Sequence, residues 1–593
     1  MKTIKLKNKP INPQSADFLA DYLINVGVKP QDIPSFKNES YEYTPDPTCI
    51  VNMDTAVDMM YKLVEGKKKF FLQVDSDADG FTSAAIFYLF FKKNYPDIDI
   101  FWRLHDGKQH GIILDTIPDD RDVIIIPDAG SMQKEEHAAI SAAGKYCIIL
   151  DHHNLEQEIL DNCPANVIIV NNQTNNCKYC GLSGAGVVYM FIQEYQKRIL
   201  GQPYNYDYED LAALGIISDV MDSRELINHQ IIGHGLQSIS NRLFQELLMK
   251  QSYKIPEPTH PTKIDIAFYI TPLINGLIRS GGQEEKEDFF KALIADPAND
   301  EIITSEYRGT ERNETVWQHA ARIAANAKSR QDAVKKKIID FLTTKIEFNH
   351  LQDHKLLIVL LDEMESKKVD PNITGLAAMD ICTHFNRPTL IMRYKQEEDG
   401  RIHYAGSARS NPCTELPSLR DFLLNSGLIE YAEGHDNALG VAVESKEQYE
   451  KLLAYADEQL KDINYDDQSV EVDYYFKGII NSNMLNCFAS YKWLYGNAIP
   501  EPLFAFDLTV RNGDWTAMGK DKSSLKIKSG GIDFVVFGAA EFIGELTKNG
   551  TSDVTVIGIA DINEWMGRRS IQVMIKDMNI TKTTSGFGLR SLI

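Results

Sequence analysis

The chain has 593 residues and a net charge of −22, with 43% hydrophobic and 25% charged residues. This length exceeds what one hydrophobic core supports, so we expect several globular domains rather than a disordered or fibrous protein. No apolar stretch reaches the length of a membrane span, and no apolar segment follows the basic N-terminus as in a secretory signal. The eight cysteines are scattered, which favours a reducing compartment. We therefore expect a cytoplasmic protein with no membrane partner.

The negative charge argues at first against a nucleic-acid partner, because phosphate binding usually requires a basic surface. However, the region from Glu471 onward contains thirteen basic and thirteen acidic residues, so the excess acid lies in the first four-fifths of the chain. A metal site there would use several carboxylates, and bound divalent ions reverse the local field. Nucleic acid therefore stays among the expected partners.

The first half of the chain predicts an α/β fold. Residues 1–48 are rich in proline and predict an arm that packs on the body. Between residues 49 and 243, short β-branched runs alternate with helical stretches such as Thr82–Asn94 and Lys134–Ala143, which is the pattern of a parallel sheet. The predicted strands are Phe70–Val74, Val123–Ile126, Cys147–Leu150 and Val167–Val170.

The second half predicts three further regions. Residues 244–351 read as a mostly helical connector with one long helix from Glu314 to about Leu342. Residues 352–462 predict a smaller α/β domain. Residues 463–593 predict a small β-barrel of short strands separated by glycine and asparagine turns. The elements predicted in the last two regions are Leu356–Leu361, Gly375–Phe385, Thr389–Arg393, Leu503–Val510, Ser524–Lys528, Ile532–Phe537 and Val554–Ile559.

Three of the predicted strands end on acid or histidine. The first leads into Asp75-Ser-Asp77-Ala-Asp79-Gly80, the second into Asp128, and the third into Asp151-His152-His153. Ligands of open α/β sheets gather at the carboxyl ends of the strands, and alternate residues of an extended segment share a face. These residues therefore predict a divalent-metal site.

A calcium loop is the alternative for the aspartate triplet, because Asp-x-Asp-x-Asp-Gly resembles the start of an EF-hand. The twelfth position is Ile86 instead of glutamate, and a strand instead of a helix precedes the motif. Imidazole combined with carboxylates suits Mn²⁺ and related ions better than Ca²⁺. A further acid, Asp219, follows an apolar segment, and the combined set offers enough ligands for two metals that act together on phosphorus.

In this order, the four motifs resemble those of the DHH phosphoesterase superfamily. Downstream segments resemble RecJ single-strand DNA exonucleases and their DHHA1 and OB-fold domains. These segments are Leu182-Ser-Gly-Ala-Gly-Val187, Pro272-Leu-Ile-Asn-Gly-Leu-Ile-Arg279, Gly406-Ser-Ala-Arg-Ser410, Glu433-Gly434-His435 and Tyr495-Gly-Asn-Ala-Ile-Pro-Glu-Pro-Leu-Phe504. The resemblance spans about residues 50 to 580.

The resemblance implies a metal-dependent exonuclease that degrades single-stranded DNA from the 5′ end and releases 5′-mononucleotides. Two Mn²⁺ or Mg²⁺ ions would be held by Asp77, Asp79, Asp128, His152 and Asp219, with His153 beside them in the catalytic site. Asp75, Asp151 and Asp222 would lie in the surrounding shell. The residues implied to bind substrate are Arg103, Arg279, Ser407, Arg409, Gly434 and His435. A single-strand binding protein or a helicase would be a candidate partner.

Two positions depart from the family pattern: Leu273 replaces an arginine, and Glu433 replaces the first glycine of Gly-Gly-His. Both changes would affect the affinity for substrate and the preferred end group of the DNA. Two other functions stay open: a phosphodiesterase acting on short oligonucleotides or cyclic dinucleotides, and an inactive nucleic-acid-binding accessory protein of replication.

Two weaker signals lie outside this set. Cys177-Lys-Tyr-Cys180 has zinc-knuckle spacing, but no second pair of ligands follows at a suitable distance. Basic residues interleaved with tryptophan near the C-terminus predict a surface that stacks bases and follows a DNA backbone, with a solvated barrel exterior as the alternative. These residues are Lys520, Lys522, Lys526, Lys528, Arg568, Arg569, Trp515 and Trp565.

Overall fold

The computed structural model divides the chain into two compact units. The first comprises Met1–Ile278, Gln283–Arg322 and Ser469–Ile593, and the second comprises Arg279–Gly282 and Ile323–Gln468. The boundaries of the five regions proposed from the sequence stay predictions. The structure describes residues 3–39, 43–107, 109–174, 177–298, 301–307, 309–397, 400–410, 416–465, 469–548, 550–565 and 567–584.

The N-terminal arm packs on the C-terminal region of the chain. Its strand β1 (Thr3–Leu6) pairs in parallel with Ser469–Val472. Its helices α1 (Phe18–Asn25) and α2 (Ile33–Phe36) contribute apolar side chains to the same core as the C-terminal strands. Tyr22 lies edge-on to Phe488 with ring centroids 5.5 Å apart. The N-terminal arm and the C-terminal strands therefore share one hydrophobic core.

A five-stranded parallel sheet forms the centre of the first unit. The strands are β2 (Phe70–Val74), β3 (Ile100–Leu104), β4 (Val123–Pro127), β5 (Tyr146–Asp151) and β6 (Val167–Asn171), in the order β3-β2-β4-β5-β6. The helices of this region are α3 (Met53–Glu65), α4 (Ala78–Asn94), α5 (Lys134–Ala142), α6 (Gln157–Asp161), α7 (Gly184–Arg198), α8 (Glu209–Ser218) and α9 (Leu226–Gln237). Every residue of β2, β4 and β6 is buried, as expected for parallel strands covered on both faces.

Helix α4 begins inside the acidic motif, four residues before the predicted start at Thr82. Asp77 adopts an extended conformation, and its carboxylate accepts the Gly80 N–H at 2.9 Å, which caps the helix. The acidic triplet is therefore a strand-to-helix turn.

The predicted connector is helical with one exception. Its helices are α10 (Arg242–Lys250), α11 (Lys263–Asp265), α12 (Thr271–Ser280), α13 (Gln283–Leu293) and α14 (Val316–Phe348). A hairpin of β7 (Ile302–Tyr307) and β8 (Thr310–Thr315) precedes α14 and was not predicted, because the polar sequence of β8 has no hydrophobic alternation. Within the described residues, no helix is both long and apolar enough to cross a bilayer.

The second unit contains a five-stranded mixed sheet in the order β12-β13-β11-β10-β9. Only β9 and β10 run parallel. The elements are β9 (Leu357–Leu361), α15 (Glu363–Ser366), α16 (Thr374–Phe385), β10 (Thr389–Gln396), β11 (Ile402–Arg409), α17 (Leu419–Ser426), β12 (Tyr431–His435), β13 (Ala438–Val443) and α18 (Lys446–Gln459).

The C-terminal region forms a seven-stranded sheet in the order β15-β16-β20-β21-β19-β18-β17. The helices and strands of the whole C-terminal region are β14 (Ser469–Val472), β15 (Tyr474–Phe476), α19 (Ser482–Ala489), β16 (Leu503–Arg511), β17 (Trp515–Met518), β18 (Ser524–Ser529), β19 (Ile532–Val536), α20 (Ala540–Lys548), β20 (Thr551–Trp565) and β21 (Arg568–Thr584). The strand predicted at Val554–Ile559 is part of the much longer β20.

Helix α8 begins at a buried carboxyl group. Glu209 Oε1 accepts the Tyr43 hydroxyl at 2.5 Å and the Tyr204 hydroxyl at 3.3 Å. Burial raises the pKa of Glu209 to about 8, although these hydrogen bonds lower it. The buried network fixes the start of the helix whose other end is Asp219.

Glu209→Gln is expected to remove a pH dependence of stability. Because the pKa of Glu209 is raised on folding, the folded chain binds more protons between about pH 4.5 and pH 8. The free energy of unfolding therefore falls as pH rises through this window, by up to about 1.4 kcal/mol per pH unit. Urea unfolding at several pH values measures this slope, with the exposed Glu65→Gln as control. A parental slope in the Glu209 variant would contradict the assignment.

Candidate metal centre

Asp79 is held by the first turn of another helix. It is 2% exposed, and both of its carboxylate oxygens accept hydrogen bonds from the start of α7. Oδ1 accepts the Ser183 hydroxyl at 2.9 Å and the Ala185 N–H at 3.1 Å, and Oδ2 accepts the Gly184 N–H at 2.8 Å. The first-turn N–H groups of α7, which have no partner within the helix, and the dipole of α7 therefore stabilise the charge of Asp79.

Asp128 and His152 follow neighbouring strands and face each other. Asp128 is 2% exposed and adopts a left-handed conformation with φ of 65°. Its Oδ1 lies 3.2 Å from His152 Nε2 and makes no hydrogen bond among the described residues. A Cβ atom on Gly184 would lie 2.3 Å from this oxygen, so the glycine leaves the space that the carboxylate occupies. A buried acceptor without a donor is the expected state of a metal ligand.

Asp219 completes the arrangement from the C-terminal end of α8. Its Oδ2 lies 3.5 Å from His152 Nε2, while Asp79 Oδ2 lies 4.0 Å from the same nitrogen. The side chain of Asp219 is 30% exposed, in contrast to the other two carboxylates. His152 is therefore the nitrogen donor on which three acids from three different segments converge.

Three overlapping groups of residues in the described chain offer atoms within 4.8 Å of one another. They are Asp128, His152 and His153; Asp79, His152 and Asp219; and Asp75, Asp77 and Asp128. The five residues predicted as ligands all belong to these groups, and Asp128 and His152 are each shared by two of them.

The carboxylates raise one another's pKa. Burial, followed by the charges of Asp79 and Asp77, raises the pKa of Asp128 far above its usual range and that of Asp219 to about 8. Burial lowers the pKa of His152, so its ring is neutral and able to donate a lone pair. A neutral imidazole among crowded carboxylates fits a divalent cation.

Asp151 holds both histidines in place. Its Oδ1 accepts the backbone N–H of His152 at 2.7 Å and Nδ1–H of His153 at 2.8 Å, while Oδ2 accepts the Ser131 N–H at 3.0 Å. Burial lowers the pKa of His153, but the bond and charge of Asp151 outweigh it and raise the pKa to about 9. His153 is therefore a cation at neutral pH, and its side chain is 48% exposed.

Two histidines that sequence reasoning missed hold Asp75. His110 Nδ1 lies 2.7 Å from Oδ2 of Asp75, and His105 Nε2 lies 3.3 Å from Oδ1. Burial raises the pKa of Asp75, but these two contacts outweigh it and hold the pKa at about 2. His105 directly follows strand β3, so the same strand-end signal that identified the other residues was present there.

The chain resembles known proteins in both sequence and fold. Residues 69–216 match the profile of the DHH family, N-terminal domain, and residues 484–577 match that of the RecJ OB domain. YorK of Bacillus subtilis strain 168 is named as a prophage-derived single-strand DNA-specific exonuclease. It is 33% identical over 589 residues, which cover 96% of this chain and 97% of YorK. The chain belongs to the RecJ-like DHH family.

Other members of this family agree over most of the chain. The single-stranded-DNA-specific exonuclease RecJ of Bacillus subtilis strain 168 is 25% identical over 572 residues, covering 91% of this chain and 64% of RecJ. The crystal structure of RecJ from Thermus thermophilus with Mn²⁺ superposes with a TM-score of 0.69 at 18% identity, covering 99% of this chain and 80% of that one. The predicted architecture of two α/β domains, a helical connector and a C-terminal OB-like region is confirmed.

Asp222, implied in the shell around the ligands, and Arg103, implied to bind substrate, each have a charged neighbour. Asp222 is engaged by Arg224, whose Nε lies 3.0 Å from both carboxylate oxygens. Arg103 lies on β3 with Nη2 3.5 Å from Asp106 Oδ2, and it lines a cavity of about 590 Å³ together with Lys291. Asp222 belongs to none of the three ligand groups of the described chain.

The remaining substrate-binding residues of the RecJ-like pattern lie in the second unit. Ser407 and Arg409 are on β11, and a Cβ on Gly375 in the first turn of α16 would lie 3.6 Å from Ser407 Oγ and 2.5 Å from Arg409 Nη2. Burial lowers the pKa of Arg409, and the neighbouring charge of Arg279 lowers it further. Two guanidinium groups and a helix N-terminus therefore lie close together.

The structure gives partners to some residues of the two weaker sequence signals, the late basic residues with tryptophan and the Cys177–Cys180 pair. Lys526 lies 3.0 Å from Asp533 and Arg569 lies 3.3 Å from Glu564, so two of the late basic residues are paired. Trp515 packs against the core, while the side chain of Trp565 lies outside the described residues. Cys177 and Cys180 belong to none of the three ligand groups found in the described chain.

Gly184→Ala is expected to weaken Mn²⁺ binding by roughly 10- to 100-fold, as for other residues that orient ligands. The added Cβ would lie 2.3 Å from Asp128 Oδ1, so Asp128 must move. Titration of the metal-free chain with Mn²⁺, followed calorimetrically, measures the change. Gly544→Ala is the matched control, because nothing lies within 4 Å of that position. Equal affinity in both variants would contradict the role of Gly184.

Proposed function

We propose that this RecJ-like chain is a metal-dependent exonuclease that hydrolyses single-stranded DNA from the 5′ end and releases 5′-mononucleotides. The observation that carries the proposal is the convergence of Asp79, Asp128 and Asp219 on His152 at the carboxyl edge of a parallel sheet. The names of YorK and RecJ, which describe single-strand DNA-specific exonucleases, support the same substrate class.

Two Mn²⁺ or Mg²⁺ ions are the proposed cofactors. The ligand groups share Asp128 and His152, which is the arrangement expected for two neighbouring ions with common ligands. Asp77, Asp79, Asp128, His152 and Asp219 would hold them. When bound, such ions supply a water molecule of lowered pKa as nucleophile and stabilise negative charge on the phosphate oxygens. Crystal structures of Thermus thermophilus RecJ have been obtained with either ion.

His153 is the proposed proton donor or phosphate contact of the centre. Its Nδ1–H is engaged by Asp151, which fixes the ring and leaves Nε2 as the donor on the exposed side. Because its pKa is raised to about 9, the ring is protonated at neutral pH. A fixed cation beside the ligands suits an incoming phosphodiester, whose charge it neutralises.

The sheet of the second unit offers a platform for a phosphate group. Arg409, Ala438 and His435 are register partners on three adjacent strands, and so are Ser407, Gly440 and Glu433. Register partners project to the same face, so Ser407, Arg409, Glu433 and His435 share one face, with small residues between them. We infer that Ser407, Arg409, Arg279 and His435, with the backbone of Gly434 beside them, bind substrate phosphate.

An assay on end-labelled single-stranded DNA tests the function. With Mn²⁺, the parental chain is expected to release mononucleotides from the 5′ end and to spare duplex DNA. Asp128→Ala removes the shared ligand and should lower the rate by at least about 100-fold. Substrates labelled at the 5′ end or at the 3′ end show from which end the DNA is degraded. Binding without cleavage by both proteins would contradict the proposal, and activity confined to dinucleotides would indicate the short-oligonucleotide alternative.

Glu433→Gly is expected to tighten DNA binding. Glu433 places a negative charge on the same face as Ser407, roughly 10 Å away across two strand spacings, where it repels phosphate. Removal of one exposed charge should lower KM roughly two- to fivefold at low salt and less at high salt.

Glu433→Gln separates charge from backbone conformation in this test. If charge is the cause, Gln should reproduce most of the effect of Gly, whereas the exposed Glu450→Gln of the same unit should leave KM unchanged. An unchanged or higher KM in both Glu433 variants would contradict the inferred position of the phosphate.

A further inference from the structure

The turn that follows Asp219 has an unusual conformation. The Val220 N–H donates to Ile217 O and the Met221 N–H donates to Ile216 O, both at 3.1 Å, which is the Schellman pattern at a helix end. The left-handed position of this pattern usually belongs to glycine, but here it is Val220 with φ of 56°. A β-branched residue keeps this conformation only where other contacts fix it.

Apolar packing contributes little to fixing the turn. Val220 is 64% exposed. Val220 and Met221 also line a cavity of about 500 Å³, together with Ile264, Phe268 and Pro500. Because few atoms press on the turn from this side, hydrogen bonds have to supply the constraint.

Asn497 supplies such hydrogen bonds from a segment 277 residues away. Its Nδ2 donates to Val220 O at 2.5 Å and to Met221 O at 3.4 Å. Its backbone carbonyl accepts the Ser223 N–H at 3.3 Å. One residue therefore binds three backbone groups directly after Asp219.

The segment that carries Asn497 is itself fixed. Gly496 N donates to Ile499 O at 2.9 Å, which closes a short loop around Asn497. The buried ammonium of Lys263 donates to Leu494 O at 3.0 Å. A Cβ on Gly496 would lie 3.1 Å from the Lys263 side chain, so the loop sits tightly on Lys263. The backbone that carries Asn497 is thus fixed, while its side chain is exposed.

We propose that Asn497 is a positioning residue for the metal centre, which holds the strained Val220 turn and thereby keeps the Asp219 carboxylate facing His152. Asp219 depends on such help more than the other acids, because its side chain is 30% exposed and it ends a helix. The inference rests on the proposed role of Asp219 as a metal ligand.

Asn497→Ala is expected to lower Mn²⁺ affinity roughly tenfold, at the lower end of the range for residues that orient ligands. The rate of DNA hydrolysis should fall through kcat more than through KM, and excess Mn²⁺ should recover part of it. Asn497→Asp keeps the size but loses the donors and should behave in the same way. The control is Asn512→Ala at an exposed position, which should have the Mn²⁺ affinity and the rate of DNA hydrolysis of the parental chain.

The decisive variant adds Val220→Gly to Asn497→Ala. Glycine adopts positive φ without strain, so the turn no longer needs the asparagine, and Mn²⁺ affinity should recover. Parental Mn²⁺ affinity in Asn497→Ala, or a loss that Val220→Gly does not reverse, would overturn the inference. Failure of the parental chain to bind Mn²⁺ or cleave DNA would instead overturn the proposed function. Circular dichroism and thermal unfolding exclude a general loss of folding.

Discussion

Repulsion between buried carboxylates is the constraint on which the rest of this site depends. Asp79 and Asp128 are almost fully buried, and the charge of Asp79 raises the pKa of both Asp128 and Asp219. Burial of several like charges without compensation costs more free energy than a domain has to spare. The chain compensates part of this charge with the N–H groups at the start of α7, and a bound divalent cation would compensate the rest.

The backbone beside the ligands is held by side chains from distant segments. Asn275 Oδ1 accepts the Ala78 N–H at 3.1 Å, between two acids of the first motif, and Asn497 binds the turn after Asp219. Both asparagines belong to segments that resemble RecJ downstream of the DHH domain. The resemblance alone assigns such segments to substrate binding or to the OB-fold. In this chain they also bind the backbone beside Asp79 and Asp219.

The convergence of most candidate ligands could be predicted from the sequence, because a parallel sheet gathers its strand ends at one edge. The same rule applied to β3 would have found His105, but the prediction did not include that strand. Other features have no local signal. These features depend on how distant segments align in the fold. They are the pairing of β1 with Ser469–Val472, the shared face of Ser407 and Glu433, and the hydrogen bonds from Asn497 to the Val220 turn. The hairpin β7–β8 was missed because its strands are too polar to alternate.

The choice of valine at position 220 links two parts of the fold. A left-handed non-glycine residue costs roughly 1–2 kcal/mol, which glycine would avoid. Glycine would also lose more backbone freedom on folding, at an entropic cost of roughly 0.5–1 kcal/mol. With valine, the turn depends on Asn497, and the segment that carries Asn497 is held by the contacts of Leu494 and Gly496 with Lys263. On this reasoning, Asp219, the last of the proposed ligands, takes its position only when the segment around Asn497 has docked on Lys263 and on the Val220 turn.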